Sequence, residues 1–160
     1  MKLMIDLFEK QLQNLYNSEV LVLASLPLMY VHATDESLRA IINFYTEETD
    51  RQKTRLEEIG EYLKIKIAIN DGKVIKGLLD EAKELYEDFP KGKLLDAGII
   101  SKLQNIAHFQ ISAYETAMLI TRHLGIKEVT KKLGKTLDEA YEADEYCSEY
   151  AAKLLLPKNI

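Results

Sequence analysis

Cysteine is nearly missing from this chain of 160 residues, and Cys147 alone cannot form an internal disulfide. That usage suits a reducing cytoplasm. Tryptophan is absent, and only three prolines and seven glycines punctuate the sequence. So few turn-formers favour long helices over many short strands. There is no excess of positive charge: the net charge is −5 with both signs interspersed, which argues against a nucleic-acid footprint. No uninterrupted apolar run approaches the roughly 20 residues of a membrane span. The opening MKLMIDLFEKQLQ is broken by Asp6, Glu9 and Lys10, so it lacks the apolar core of a signal peptide. Gly-rich phosphate loops and Ser/His/Asp arrangements are missing as well. The expectation is one soluble cytoplasmic domain over residues 1–160, with no membrane or nucleic-acid partner.

What the chain does have is apolar residues in alternating steps of three and four, the signature of a helix with one buried face. Four long segments carry this stripe. The first runs from about Lys2 to His32 through Ile5, Phe8, Leu12, Leu15, Val22, Leu26 and Met29. Pro27 lies inside it and predicts a kink near Leu23, whose carbonyl loses its amide partner. The second follows Asp35, a plausible cap, and reads Leu38, Ile41, Tyr45, Glu48, Gln52, Leu56, Ile59, Leu63. The third starts after PKGK, reads Ile99, Leu103, Ile106, Gln110, Ala113, Ala117, Ile120, Leu124, and stops at Gly125. The fourth reads Val129, Leu133, Thr136, Ala140, Asp144, Cys147, Ala151, Leu154, with Pro157 just beyond.

Between the second and third segments lie an extended KIKIAI, an NDG turn and a short amphipathic helix at about Lys73 to Asp88. Short links make the first and last pairs antiparallel hairpins. The long middle connection can cross the bundle, so that the second and third long helices run parallel. This predicts an all-α, ferritin-like four-helix bundle whose crossover carries a short extra helix.

Each apolar stripe is broken near its middle by polar residues: Glu19, then Glu48 and Gln52, then Gln110, then Asp144. Middles of antiparallel helices meet at one level, so these five side chains are expected to form a central layer. Carboxylates gathered away from water repel one another and are poorly solvated. Either some take up protons, or a cation binds among them. The layer is therefore a candidate metal site of the carboxylate type, or else a hydrogen-bonded network with raised carboxyl pKa values that fixes helix register.

The stretches LYNSE, EETDRQKTRLEEI, IAHFQISAYETA and TLDEAYEADE, in this order and spacing, resemble the YciE/YciF-like bacterial stress proteins of the ferritin-like superfamily. The matching positions are Tyr16 and Glu19; Glu48, Thr49, Gln52, Arg55, Leu56 and Glu57; His108, Ile111 and Tyr114; and Leu137, Glu139 and Asp144. The departures are Asn14 for an aspartate, Ala107 and Gln110 for two glutamates, and Ala140 for another. The resemblance implies a stress-response role, while the departures imply a degenerate or mononuclear metal site in place of a dinuclear one. No cofactor is fixed by this; iron or manganese at partial occupancy is the expectation, at Glu19, Glu48, Gln52, Gln110 and Asp144. The alternative is a metal-dependent oxidoreductase consuming oxygen or peroxide, its small-molecule substrate unknown.

Other residues carry less. His108 lies opposite Gln110 around its helix and should face outward, while His32 and His123 end helices. Cys147 falls on the buried stripe. Tyr16 and Tyr114 are phenols that could stand beside a metal layer. A second stripe, Ile100, Ala107, Ile111, Tyr114 and Met118, makes the third long helix apolar over a wide arc and suggests a homodimer.

Overall fold

The computed structural model describes residues 1–158, and its helices are α1 (Met4–His32), α2 (Glu36–Leu63), α3 (Lys73–Asp88), α4 (Lys93–His123) and α5 (Lys127–Leu155). Local chemistry sets the ends. The amide of Leu3 donates to Asp6 Oδ2 at 2.7 Å ahead of α1. Asp35 caps α2, its Oδ1 accepting from the Ser37 amide at 2.8 Å. Gly125, at φ 72°, ends α4 in a Schellman turn: Ile126 N–H donates to Thr121 O and Gly125 N–H to Arg122 O. Helix α1 runs through Pro27 without interruption.

Contacts at the helix ends fix the topology. Asp96, at the start of α4, accepts from Thr34 N–H, Thr34 Oγ1 and Asp35 N–H at 2.7–3.1 Å, so α4 begins where α1 ends and α2 begins. Tyr150, near the end of α5, donates to Asp35 Oδ2 at 3.1 Å. Around the bundle the order is α1, α2, α5, α4, with every neighbouring pair antiparallel and α2 parallel to α4 across the diagonal. That is the ferritin-like connectivity.

The crossover is tied down by two asparagines of α1. Asn17 accepts from Asn70 N–H and donates to Ala68 O, both at 3.0 Å. Asn14 Oδ1 accepts from Asn70 Nδ2 at 3.0 Å. The turn then favours Gly72, whose φ of 51° lies in the left-handed region; a Cβ there would also push Leu21 Cδ1 aside. Helix α3 buries Ile75, Leu79 and Ala82 against α1 and α4.

The apolar core is divided into two clusters. One holds Val22, Leu26, Ile42, Leu103, Ile106 and Cys147 among others; the second holds Phe8, Leu12, Leu15, Leu56, Ala117 and Leu133 among others. Between them lies the polar layer. Of the wide apolar arc of α4, Ile100, Ala107 and Tyr114 are buried within the chain, while Ile111 and Met118 are half-buried. Among the described residues, no helix is long and apolar enough to cross a membrane.

Candidate functional site

Glu19 sits between Leu15 and Val22 on the buried face of α1 and is fully enclosed. Its Oε1 accepts from Gln110 Nε2 at 2.9 Å and from the Tyr114 hydroxyl at 3.0 Å, both on α4. Tyr45 of α2 orients that amide by donating its hydroxyl to Gln110 Oε1 at 2.5 Å. Burial pushes the Glu19 carboxyl up to about 7, against the two hydrogen bonds that favour its ionised form. Tyr114 and Tyr45 are driven well above the ordinary phenol range, first by burial and then by the Glu19 charge.

The other half of the layer lies between α2 and α5. Glu48, Gln52 and Arg55 recur at i, i+4 and i+7 on one flank of α2. Arg55 is 9 % exposed, and its two terminal nitrogens reach Glu139 at 3.1 and 3.0 Å. Its Nη1 also donates to Thr136 Oγ1 at 2.5 Å, while Gln52 Nε2 donates to Glu139 Oε2 at 3.2 Å. Burial alone would raise the Glu139 carboxyl, but the hydrogen bonds and charge of Arg55, with Gln52 and the neighbouring Glu48 carboxyl, hold it below the usual carboxylate value. Glu48 Oε1 is paired with Arg51 one turn along α2.

Three buried carboxylate oxygens make no hydrogen bond: Glu19 Oε2, Glu48 Oε2 and Asp144 Oδ1. Glu19 meets Gln110 and Tyr114 from α4, and Gln52 of α2 meets Glu139 of α5, while Glu48 has an ion pair only with Arg51. Asp144 takes no part in these contacts. Its side chain is 22 % exposed, and His108 Nε2 lies 2.9 Å from its Oδ1, out of line for a hydrogen bond. Residue Ala143, not Asp144, occupies the centre of the α5 stripe, so Asp144 stands on the rim towards α4. His108 faces outward as expected, at 66 % side-chain exposure, yet it touches that rim carboxylate. Tyr16 is displaced from the layer: its hydroxyl goes to Glu57 on the surface at 3.2 Å.

Reading the seams for their polar breaks missed Arg55, Glu139 and Tyr45. Thr136 was the available signal, a hydroxyl on an apolar seam three residues before Glu139. Arg55 likewise follows Gln52 by three.

A dinuclear cluster does not fit these residues. In di-metal bundles of this kind, two helices each carry a glutamate with a histidine three residues on. Here Arg51 follows Glu48 and the exposed Glu142 follows Glu139 at that spacing. Among the described residues, no group of three His, Cys, Asp or Glu side chains is close enough to hold a metal ion. The bare oxygens of Glu19, Glu48 and Asp144 are single donors from three different helices and do not make a full shell.

A sequence model described as a domain of unknown function, DUF892, matches residues 4–158. Protein YciF of Escherichia coli (strain K12) is 28 % identical over 145 residues, 90 % of this chain and 87 % of that protein. The crystal structure of the E. coli stress protein YciF aligns with a TM-score of 0.93 at 27 % identity, covering 99 % of this chain and 100 % of the other. YcfI of Rhodopseudomonas palustris, described as a candidate structural protein, aligns with a TM-score of 0.88 at 28 % identity over 92 % and 94 % of the two chains. With a family match from α1 to the end of α5, and a bundle that follows YciF throughout, the chain belongs to the DUF892 family and is YciF-like in sequence and fold.

Proposed function

We propose that the chain is a cytoplasmic stress-response protein whose bundle centre is a degenerate metal site, taking at most one divalent cation, with iron or manganese as the ion. The stress role comes from the likeness to YciF. The observation that carries the metal reading is that Glu19 and Glu48 each keep a buried oxygen with no hydrogen bond, while Glu139 is already neutralised by Arg55. A buried carboxylate oxygen without a donor is costly, and a cation with bound water is one remedy. In this reading Glu19 and Glu48 would hold the ion, Gln110 and Tyr114 keep Glu19 oriented, and the ion would supply the positive charge that the acids lack. Oxidoreductase chemistry adds requirements that no residue here specifically meets, so it is not adopted.

Protein purified without chelator is expected to hold no more than one metal ion per chain by elemental analysis. Excess Mn(II) should raise its melting temperature relative to EDTA, because a ligand of the native state adds stability. Glu48→Gln should abolish that rise. Two ions per chain, or no response to Mn(II) or Fe(II), overturns the reading. Light scattering at micromolar concentration tests the homodimer separately.

A further inference from the structure

We infer that Arg55 is the resident cation of the bundle centre: its guanidinium supplies Glu139 with the positive charge that a carboxylate of the layer would otherwise take from a metal ion. The inference rests on the proposed function only in taking the layer to be cation-seeking.

The contacts of Glu139 show why. An ionised carboxylate has about four acceptor positions. Oε2 receives Arg55 Nη1 and Gln52 Nε2, and Oε1 receives Arg55 Nη2. Glu139 is thus nearly saturated by donors from α2 and has little left to give a metal. Glu19 and Glu48 each keep one oxygen bare. The difference lies in the partner: a planar guanidinium matches a carboxylate with two parallel bonds and stays charged at any pH a protein survives. Unlike a metal it cannot be lost to a chelator. It also comes from the chain itself, so Glu139 has its partner as soon as the bundle folds.

Charge counting leads to the same place. Glu48 and Glu139 face two guanidiniums, Arg51 and Arg55, which leaves the fully buried Glu19 with no ion pair of its own. One such group calls for one proton or one cation. Removing Arg55 would leave Glu139 without a counter-charge beside Glu48, and the demand would rise to a further cation.

The test compares wild type, Arg55→Gln and the double variant Arg55→Gln/Glu139→Gln by circular dichroism melting and by Mn(II) counting under native mass spectrometry. In EDTA, Arg55→Gln should melt lower by roughly 10 °C, the effect of leaving a buried charge unpaired. Mn(II) should restore much of that loss and bind at one more equivalent than in wild type. The double variant, with no charge to balance, should melt above the single variant in EDTA and bind no more Mn(II) than wild type. A folded Arg55→Gln that binds no additional Mn(II) overturns the inference. Should Arg55→Gln be unfolded in EDTA, folding on addition of Mn(II) supports it. Failure to fold with Mn(II), whether or not the double variant folds, overturns it, since neutralisation or packing alone would then explain Arg55. A wild type that binds no metal refutes the single-cation reading yet leaves the increment between wild type and variant as a separate result.

Discussion

Two carboxylates share the middle of this bundle, and their surroundings drive them in opposite directions. Glu19 receives two neutral donors, Gln110 and Tyr114, and its carboxyl is still pushed up to about 7 by burial. Glu139 is also penalised by burial, but the Arg55 guanidinium and Gln52 hold it low. Amide and phenol dipoles orient a buried charge without replacing its lost hydration. A fixed opposite charge at hydrogen-bond distance does replace it. Glu19 is therefore poised to bind a proton or cation, while Glu139 already has its counter-charge.

The largest effect expected from breaking this contrast is on the Glu139 side. Glu139→Leu leaves Arg55 charged and enclosed without its partner, and should cost about 3–5 kcal/mol in urea unfolding. A cost under ~1 kcal/mol would mean that Arg55 reaches solvent, and the two carboxylates would then be alike.

The next effect is the pH dependence of the Glu19 side, measured in EDTA. The Glu19 carboxyl is higher in the folded chain, at about 7, than its ordinary 4.5. Between those values the native state binds more protons than the unfolded state, so stability falls as pH rises. The penalty is absent below the unfolded value, complete above pH 7, and of order 3 kcal/mol at most. Glu139 has the opposite sign: its lowered pKa adds stability that is lost as pH falls from the ordinary carboxyl value through the folded one. Glu19→Gln should flatten the decline between pH 5 and 8 and leave the acid limb intact. A wild-type profile with no decline over that range would show that Glu19 stays solvated.

Tyr114→Phe sharpens the same point with a smaller change. It removes one of the two donors on Glu19 Oε1, and should cost about 1–2 kcal/mol above pH 7, where the carboxylate is ionised. Below pH 5 the loss should shrink, because a protonated carboxyl depends less on that donor. Equal losses at both pH values would make the effect one of packing.

The helices and the inner layer residues were legible in the sequence because burial imposes a period, and a polar residue on that period stands out. Glu19, Gln52 and Gln110 lie on the centres of their stripes, and Asp35 and Gly125 carry the turn chemistry of their helix ends. The flanks were not legible. Glu139 and Asp144, five residues apart at about 100° each, stand about 140° apart around α5, on either side of its buried stripe. Which flank meets α2 and which meets α4 depends on the order of helices around the bundle, and no periodicity within one helix encodes that. Asp144 is aligned with the seam almost as well as Ala143, so it reads as an inner residue. Arg55, a cation on a flank, reads as part of a solvated face until Glu139 is seen opposite it.

The smallest expected effect separates rim from centre. His108→Ala should change stability by less than ~0.5 kcal/mol, because its ring is 66 % exposed and makes no hydrogen bond to Asp144 despite a 2.9 Å approach. Asp144→Asn should likewise preserve any Mn(II)-dependent rise in melting temperature, while Glu48→Gln removes it. The two substitutions delete the same charge within the same span of the bundle, so only position distinguishes them. If Asp144→Asn also abolishes the Mn(II) response, the carboxylate swings inward when a cation arrives, and the centre has three acidic ligands where the folded chain alone presents two.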